Sequence, residues 1–327
     1  MSNDNMKVAI QCSSIGQRCG IYVYARRLAE HLNKLHNVEA QLFISNLKED
    51  VDVISIQYEP GIMPPQMLSQ LVNTFINPVI VVTAHHINGL PPFFPILEGI
   101  VLHSESQLHG LEEKPWNYRI IPHPAIVFPR KDKNKLREKY GLPQDKKIVG
   151  TAGFITGTGK RLPIIVEEIL KRLKDDEFLY LITSYWKAGD LGRETEIRNV
   201  VKQLGKEEQF RIDTEFLPDE ILNEKMQCCD LLFAWNAGPN MYGSQSGIAA
   251  DMYGSYTKLI VKDAPHYDFI GSQEGVLKGR PEPDKFAEDV LYALRHEDLD
   301  DVPDPRWLSW DEKVKYYVDY FKELLLE

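Results

Sequence analysis

Lys147–Arg161 reads KIVGTAGFITGTGKR. An apolar, strand-sized run, Lys147–Gly153, passes into a glycine-rich loop. Two adjacent cations follow, ahead of Leu162–Lys174, whose apolar residues recur at helical spacing. Strand, glycine loop, helix is how a parallel α/β layer is built. Towards the C-terminus the pattern repeats, with strands expected at Phe178–Thr183, Phe210–Thr214, Leu231–Ala234 and Lys258–Lys262. Helices are expected over Thr195–Leu204, Asp219–Cys228 and Gly247–Gly254.

Towards the N-terminus the same alternation appears. Lys7–Gln11 reads as a strand, and Ile21–Leu35 as a helix with Tyr22, Ala25, Leu28, Ala29, Leu32 and Leu35 on one face. Ala40–Ile44, Val53–Gln57, Val79–Thr83, Ile100–His103 and Arg119–Ile121 are short and continuously apolar, as strands buried on both faces must be. Pro129–Lys147 is rich in Lys and Arg and bounded by proline, so the domain boundary is placed there. Its basic run, Arg130–Lys139, reads as a solvated linker and helix start. The expected fold class is therefore α/β, with two Rossmann-like domains facing each other, over residues 1–130 and 131–305. Trp310–Leu326 reads as an amphipathic helix with Val314, Tyr317, Val318, Phe321 and Leu325 on a face.

Composition agrees. A chain of 327 residues suits two domains at ~100–200 residues each. The 38 basic and 48 acidic residues leave a net charge of −10, against a dedicated nucleic-acid binder. No apolar run approaches the ~20 residues of a transmembrane segment. The opening MSNDNMKVAI lacks the apolar core of a signal peptide. The four cysteines, Cys12, Cys19, Cys228 and Cys229, show no metal-binding spacing and read as reduced thiols in a cytoplasmic protein. Leu90–Pro95 (LPPFFP) is a loop able to touch an acceptor or a membrane, or to pack between domains, so transient membrane docking stays open.

Four strand-following segments carry chemistry. Ser13–Gly20 (SSIGQRCG) is a glycine turn leading to a helix N-terminus, where anions are favoured. It is not the dinucleotide fingerprint. Val81–His86 (VVTAHH) ends a buried strand in two histidines, and His85 is placed to bond a sugar hydroxyl or carry a proton. In Gly150–Arg161, Lys160 and Arg161 together with loop amides suit a diphosphate, without matching an ATPase P-loop. In Gly243–Asp251 (GSQSGIAAD), Ser244, Gln245, Ser246, Gly247 and Ile248 surround a helix N-terminus suited to phosphate. Asp251 is placed to reach a ribose, or else is solvated or paired.

These stretches resemble the family 4 retaining glycosyltransferases of GT-B architecture. The likeness rests on Gly20–Leu32 (GIYVYARRLAEHL), Asp52–Gly61 (DVISIQYEPG), Val81–His85, His103–Ser106 (HSES), Ile121–Pro124 (IPHP), Thr214–Leu222 (TEFLPDEIL) and Cys229–Ala234 (CDLLFA). The resemblance implies that Gly20 opens the first glycine loop and that His85 contacts the donor sugar. It implies that the backbone around Phe216 and Leu217 holds the base. A terminal helix, residues 306–327, would cross back onto the first domain. Where the family carries an E-x7-E motif, Asp251 falls on the second position and Gly243 on the first. The first glutamate's task would then pass to Gln245, Asn240 or a backbone amide. Phe154 stands where an arginine is common, leaving Lys160 with Arg161 as the phosphate cations.

The implied reaction moves a hexose from UDP- or GDP-hexose to a hydroxyl of a glycan, lipid-linked or small-molecule acceptor, with retention. His85 and Lys160 are its catalytic candidates. The resemblance implies no cofactor and no metal, and the D-x-D triplets Asp50–Asp52 and Asp298–Asp300, at a strand start and in a late acidic loop or helix, do not look like metal sites. The alternative is a non-catalytic nucleotide-sugar-binding subunit. A nucleotide-sugar epimerase using Glu59, Glu105 or Asp213 is a third reading, and a nicotinamide oxidoreductase fits least.

Overall fold

The computed structural model describes residues 5–47, 50–87, 90–155, 161–185, 191–236, 243–296 and 304–327. Contacts divide the chain into two units: Met1–His123, Tyr242–Gln245 and Trp310–Glu327 form one, Pro124–Met241 and Ser246–Ser309 the other.

The first unit contains β1 (Met6–Gln11), α1 (Gly20–Leu32), β2 (Val38–Phe43), β3 (Val53–Tyr58), α2 (Pro65–Thr74), β4 (Val79–Ala84), β5 (Gly99–Leu102), α3 (Glu105–His109) and β6 (Tyr118–Ile120). Its strands form a parallel sheet in the order β2-β1-β3-β4-β5-β6. On one face Ile54, Ile56, Val82 and Ala84 pack with Leu68 and Leu71 of α2 and with Phe94. The LPPFFP loop thus sends Phe94 into this unit's own core, because two adjacent phenylalanines cannot both stay solvated cheaply. Helix α1 stops at Leu32, three residues before the expected end. Asn33 exchanges two hydrogen bonds with the backbone of Ala40 (2.7 and 2.9 Å), which turns the chain into β2.

The second unit opens with α4 (Lys133–Tyr140) and continues through β7 (Lys147–Ile155), α5 (Leu162–Leu170), β8 (Glu177–Tyr185), α6 (Leu191–Gln203), β9 (Phe210–Asp213) and α7 (Asp219–Gln227). After these come β10 (Leu231–Ala234), α8 (Gly247–Tyr253), β11 (Lys258–Lys262), α9 (Asp268–Gly271), β12 (Val276–Gly279) and α10 (Pro283–Arg295). The parallel sheet runs β12-β11-β10-β7-β8-β9. Its core joins Ile165 and Ile169 of α5, Ile197 of α6 and Phe286 and Val290 of α10 to the strands.

The helix start expected in the basic stretch after Arg130 is α4, capped by Asp132, but the cations expected to be merely solvated are ion-paired. Lys131, Lys139 and the Tyr140 hydroxyl converge on the buried Glu224 of α7, and Lys133 and Arg137 on Asp230. These cations are spent inside the second unit.

The last helix, α11 (Trp310–Leu324), returns to the first unit. Trp310, Tyr317 and Phe321 are buried there, and Tyr24 of α1 packs edge-on against Trp310 at 4.8 Å. Leu324 takes the inward position expected of Leu325, which is exposed. Gly99 permits this approach: a Cβ there would lie 2.6 Å from Leu324 Cδ1.

Candidate functional site

In the first unit the polar residues gather beyond the carboxyl end of β4. The backbone N–H of His85 continues the pairing by donating to Tyr58 O at 3.0 Å. Its Nε2 meets Gln57 Oε1 at 3.0 Å, while Gln57 Nε2 donates to Ser55 Oγ at 3.0 Å. That second bond turns the amide oxygen towards His85, so Nε2 carries the imidazole proton and Nδ1 keeps a lone pair. Tyr24 stands edge-on to the ring at 4.6 Å, and His103 follows at 5.3 Å. His103 in turn donates from Nδ1 to Ile121 O at 2.9 Å.

Burial holds both imidazoles neutral. It pushes His85 well below the usual histidine range, helped by the neighbouring His103 and His123, and takes His103 down to about 4 against the pull of its backbone bond. His85 is therefore a fixed, uncharged hydrogen-bonding group.

The structure brings two of the sequence-selected segments together in this unit. Gly243 O accepts from Ile87 N at 2.8 Å and from Gln107 Nε2 at 3.2 Å. His86 and Ser244 form an antiparallel bridge, and Gln245 Nε2 donates to Ser106 Oγ at 3.2 Å. The histidine strand and the start of the GSQSG loop are thus neighbours. In the first glycine loop the left-handed position is Gly16, at φ 78°. Gly20 begins α1 with open space around it.

In the second unit Arg161 caps α5 in a left-handed conformation, φ 39° and ψ 46°, unusual for a side chain of its size. Lys160 and Asn240 lie outside the described residues, as does the Asp298–Asp300 triplet. Phe154, near the end of β7, stacks on Phe216 with ring centres 6.2 Å apart, and Leu217 leads into α7 half-buried. Ser246 caps α8 by accepting from Ala249 N at 3.3 Å, while its own N–H is taken by His266 O at 3.2 Å. Gly247 and Ile248 then form the first turn, where backbone N–H groups have no partner within the helix. Asp251 is 5% exposed, and its Oδ1 accepts from Ile126 N at 2.9 Å, so it holds the chain at the start of this unit.

Sequence reasoning missed Gln57 and Gln107, which orient His85 and Gly243, and Lys262, a buried cation at the end of β11. Gln57 and Lys262 belong to strands apolar on both faces, which give no sign of where a polar side chain points, and Gln107 lies in α3, a helix too short to show a periodic pattern. Of the carboxylates considered for epimerase chemistry, Asp213 is engaged by Arg211, Lys225 and Tyr180. Glu59 accepts from Gly61 N at 3.2 Å, and Glu105 is an exposed first-turn residue of α3. Among the described residues no group of three or more His, Cys, Asp or Glu is placed to hold a metal, and no helix is long and apolar enough to cross a membrane. All four cysteines are buried and unbridged.

No protein-family model matches the sequence, and no curated protein matches it. Solved structures do match over nearly the whole chain. A glycosyltransferase from Rickettsia africae is 13% identical, with a TM-score of 0.73 over 98% of this chain and 99% of that one. The sucrose-phosphate synthase of Thermosynechococcus elongatus is 13% identical, with a TM-score of 0.69 over 98% and 97%. Anabaena HepE, crystallised in complex with UDP-glucose, is 12% identical, with a TM-score of 0.67 over 98% of each chain. At such identities the likeness defines the fold: this chain has the GT-B glycosyltransferase fold, with its two parallel sheets and a C-terminal helix packed on α1.

Proposed function

We propose that this protein is a retaining, metal-independent glycosyltransferase of the cytoplasm. It moves a hexosyl group from a nucleoside diphosphate sugar, UDP- or GDP-linked, to a hydroxyl of a glycan, lipid-linked or small-molecule acceptor. The observation that carries the reading is His85. A neutral imidazole is locked by Gln57 and Tyr24 beyond a parallel strand, beside a loop that leads to a helix N-terminus. The GT-B fold supports it, as does the binding of UDP-glucose by Anabaena HepE.

In this mechanism the bond between the sugar and the leaving diphosphate breaks through an oxocarbenium-like state. Lys160, Arg161 and the amides of Gly247 and Ile248 stabilise the charge growing on phosphate, while Ser246 shapes the turn. Backbone around Phe216 and Leu217 receives the base, and Asp251 fixes the frame of α8. His85 Nδ1 accepts a hydrogen bond from a hydroxyl of the sugar. The leaving phosphate takes the acceptor's proton.

Thermal-shift titration with UDP, GDP and their hexose conjugates tests the reading on wild type and Lys160→Ala. A shift with one base, weakened in the variant and followed by acceptor-dependent turnover, is expected. Saturation at a hundred times Kd adds about 2.7 kcal/mol. Binding of none of these nucleotides would overturn the proposal. The second reading, a non-catalytic nucleotide-sugar-binding subunit, is favoured by Gly243, which has no side chain to offer the donor. Binding without turnover on any acceptor would select it.

A further inference from the structure

Lys262, the last residue of β11, is only 9% exposed. Its Nζ donates to Asn236 O at 2.8 Å and lies 4.9 Å from the centre of the Trp235 ring. Glu282, before α10, influences it only at a distance, and no carboxylate pairs with it among the described residues. A backbone oxygen and a ring face leave part of the ammonium's donor capacity unused. Beside it the buried Trp235 indole N–H finds no hydrogen-bond partner among the described residues. An unpaired buried ammonium is costly, and an apolar side chain would fill the same space at lower cost.

Its place in the fold gives the charge a use. Strand order in the second sheet reverses at the neighbours β7 and β10, and sheets of this kind bind ligands beyond the carboxyl ends at that point. Asn236 lies two residues past the end of β10, so the ammonium is delivered to the switch point from the adjoining strand. Lys262 shares a strand face with Ile260, which packs with Trp235 and Phe286, so the aliphatic stem completes that core while the charge emerges at its rim.

We propose that Lys262 binds an anionic group of the donor, either a phosphate of the nucleoside diphosphate or a carboxylate on its sugar. The inference rests on the nucleotide-sugar reading above. It adds a cation that neither the glycine loop nor the helix N-terminus supplies, positioned by packing rather than by a motif.

Calorimetric titration of wild type, Lys262→Met and Lys262→Arg with UDP, GDP, uridine, guanosine, UDP-glucose and UDP-glucuronate tests it. If phosphate is the group, Lys262→Met weakens the preferred diphosphate about tenfold or more and leaves the nucleoside unchanged, while Lys262→Arg retains most of the affinity. If a sugar carboxylate is the group, UDP is unaffected and the loss is confined to UDP-glucuronate. Equal affinities of wild type and Lys262→Met for every ligand would overturn the inference and leave the nucleotide-sugar reading intact. A wild type that binds none of them would overturn both. Should Lys262→Met fail to fold, the lysine ε-carbon resonance of wild type, assigned with Lys262→Arg, serves instead. Movement on adding nucleotide supports the contact, and an unmoved resonance rejects it.

Discussion

At His85 and His103, burial makes protonation in the folded state harder than in the unfolded chain. Between the unfolded histidine value of about 6.5 and the lower folded values, the unfolded state binds more protons. Stability is therefore fully present above that range and is lost as the pH falls through it. With His103 near 4, its share is on the order of 3 kcal/mol. Melting temperature should drop steeply between pH 6.5 and 4, and His103→Gln should flatten the slope by about one proton. Arg161 makes a second prediction at this scale. Arg161→Gly relieves a left-handed backbone and should raise stability by up to about 1 kcal/mol in urea, while weakening nucleotide binding. His85 and Arg161 were legible in the sequence because each closes a strand-and-loop motif. Gln57 was not, because an amide within VISIQY reads as an ordinary strand residue until Ser55 and His85 are seen on either side of it.

Among the elements, α8 meets the segment Ala125–Ile126 at backbone contact. A Cβ on Gly254 would fall 2.3 Å from Ile126 O, so Gly254→Ala must displace the chain and should cost about 2 kcal/mol or more by urea denaturation. The same segment hangs on Asp251 Oδ1 and on Asn223 Nδ2, which donates to Ile126 O at 3.3 Å. Asp251→Ala should cost about 1–3 kcal/mol even without ligand, and Asp251→Asn, which keeps an acceptor oxygen, markedly less. Most strands were legible to within a residue or two, since buried parallel strands are continuous apolar runs. Helices α2 and α3 were not: Leu68 and Leu71 are the buried residues of α2, and α3 is barely more than a turn closed by Ser104. The stripe of α10, with Phe286, Val290, Leu291 and Leu294, lies in plain helical spacing beyond the expected elements.

At the scale of the whole molecule, the repeat of strand and helix announces two α/β layers, but not the order of strands within them. That order depends on which face each crossover takes, and nothing local in a continuously apolar strand records it. Helix α11 is the clearest long-range feature. Phe321 is fully buried in the first unit, and Phe321→Ala should cost about 3–5 kcal/mol in denaturant-induced unfolding. Its amphipathic stripe was legible, and its destination came only through family resemblance.

The return of α11 also sets an order of events during synthesis. Residues of the second unit leave the ribosome before Trp310–Glu327, so that unit can close while the first still lacks the helix that covers Tyr24 and β5. The half that is translated first is finished last. In a chain cut before Trp310, Tyr24 would still face His85 but would lack Trp310 and Tyr317 behind it, so the ring that backs the histidine is held in place only once α11 has been made.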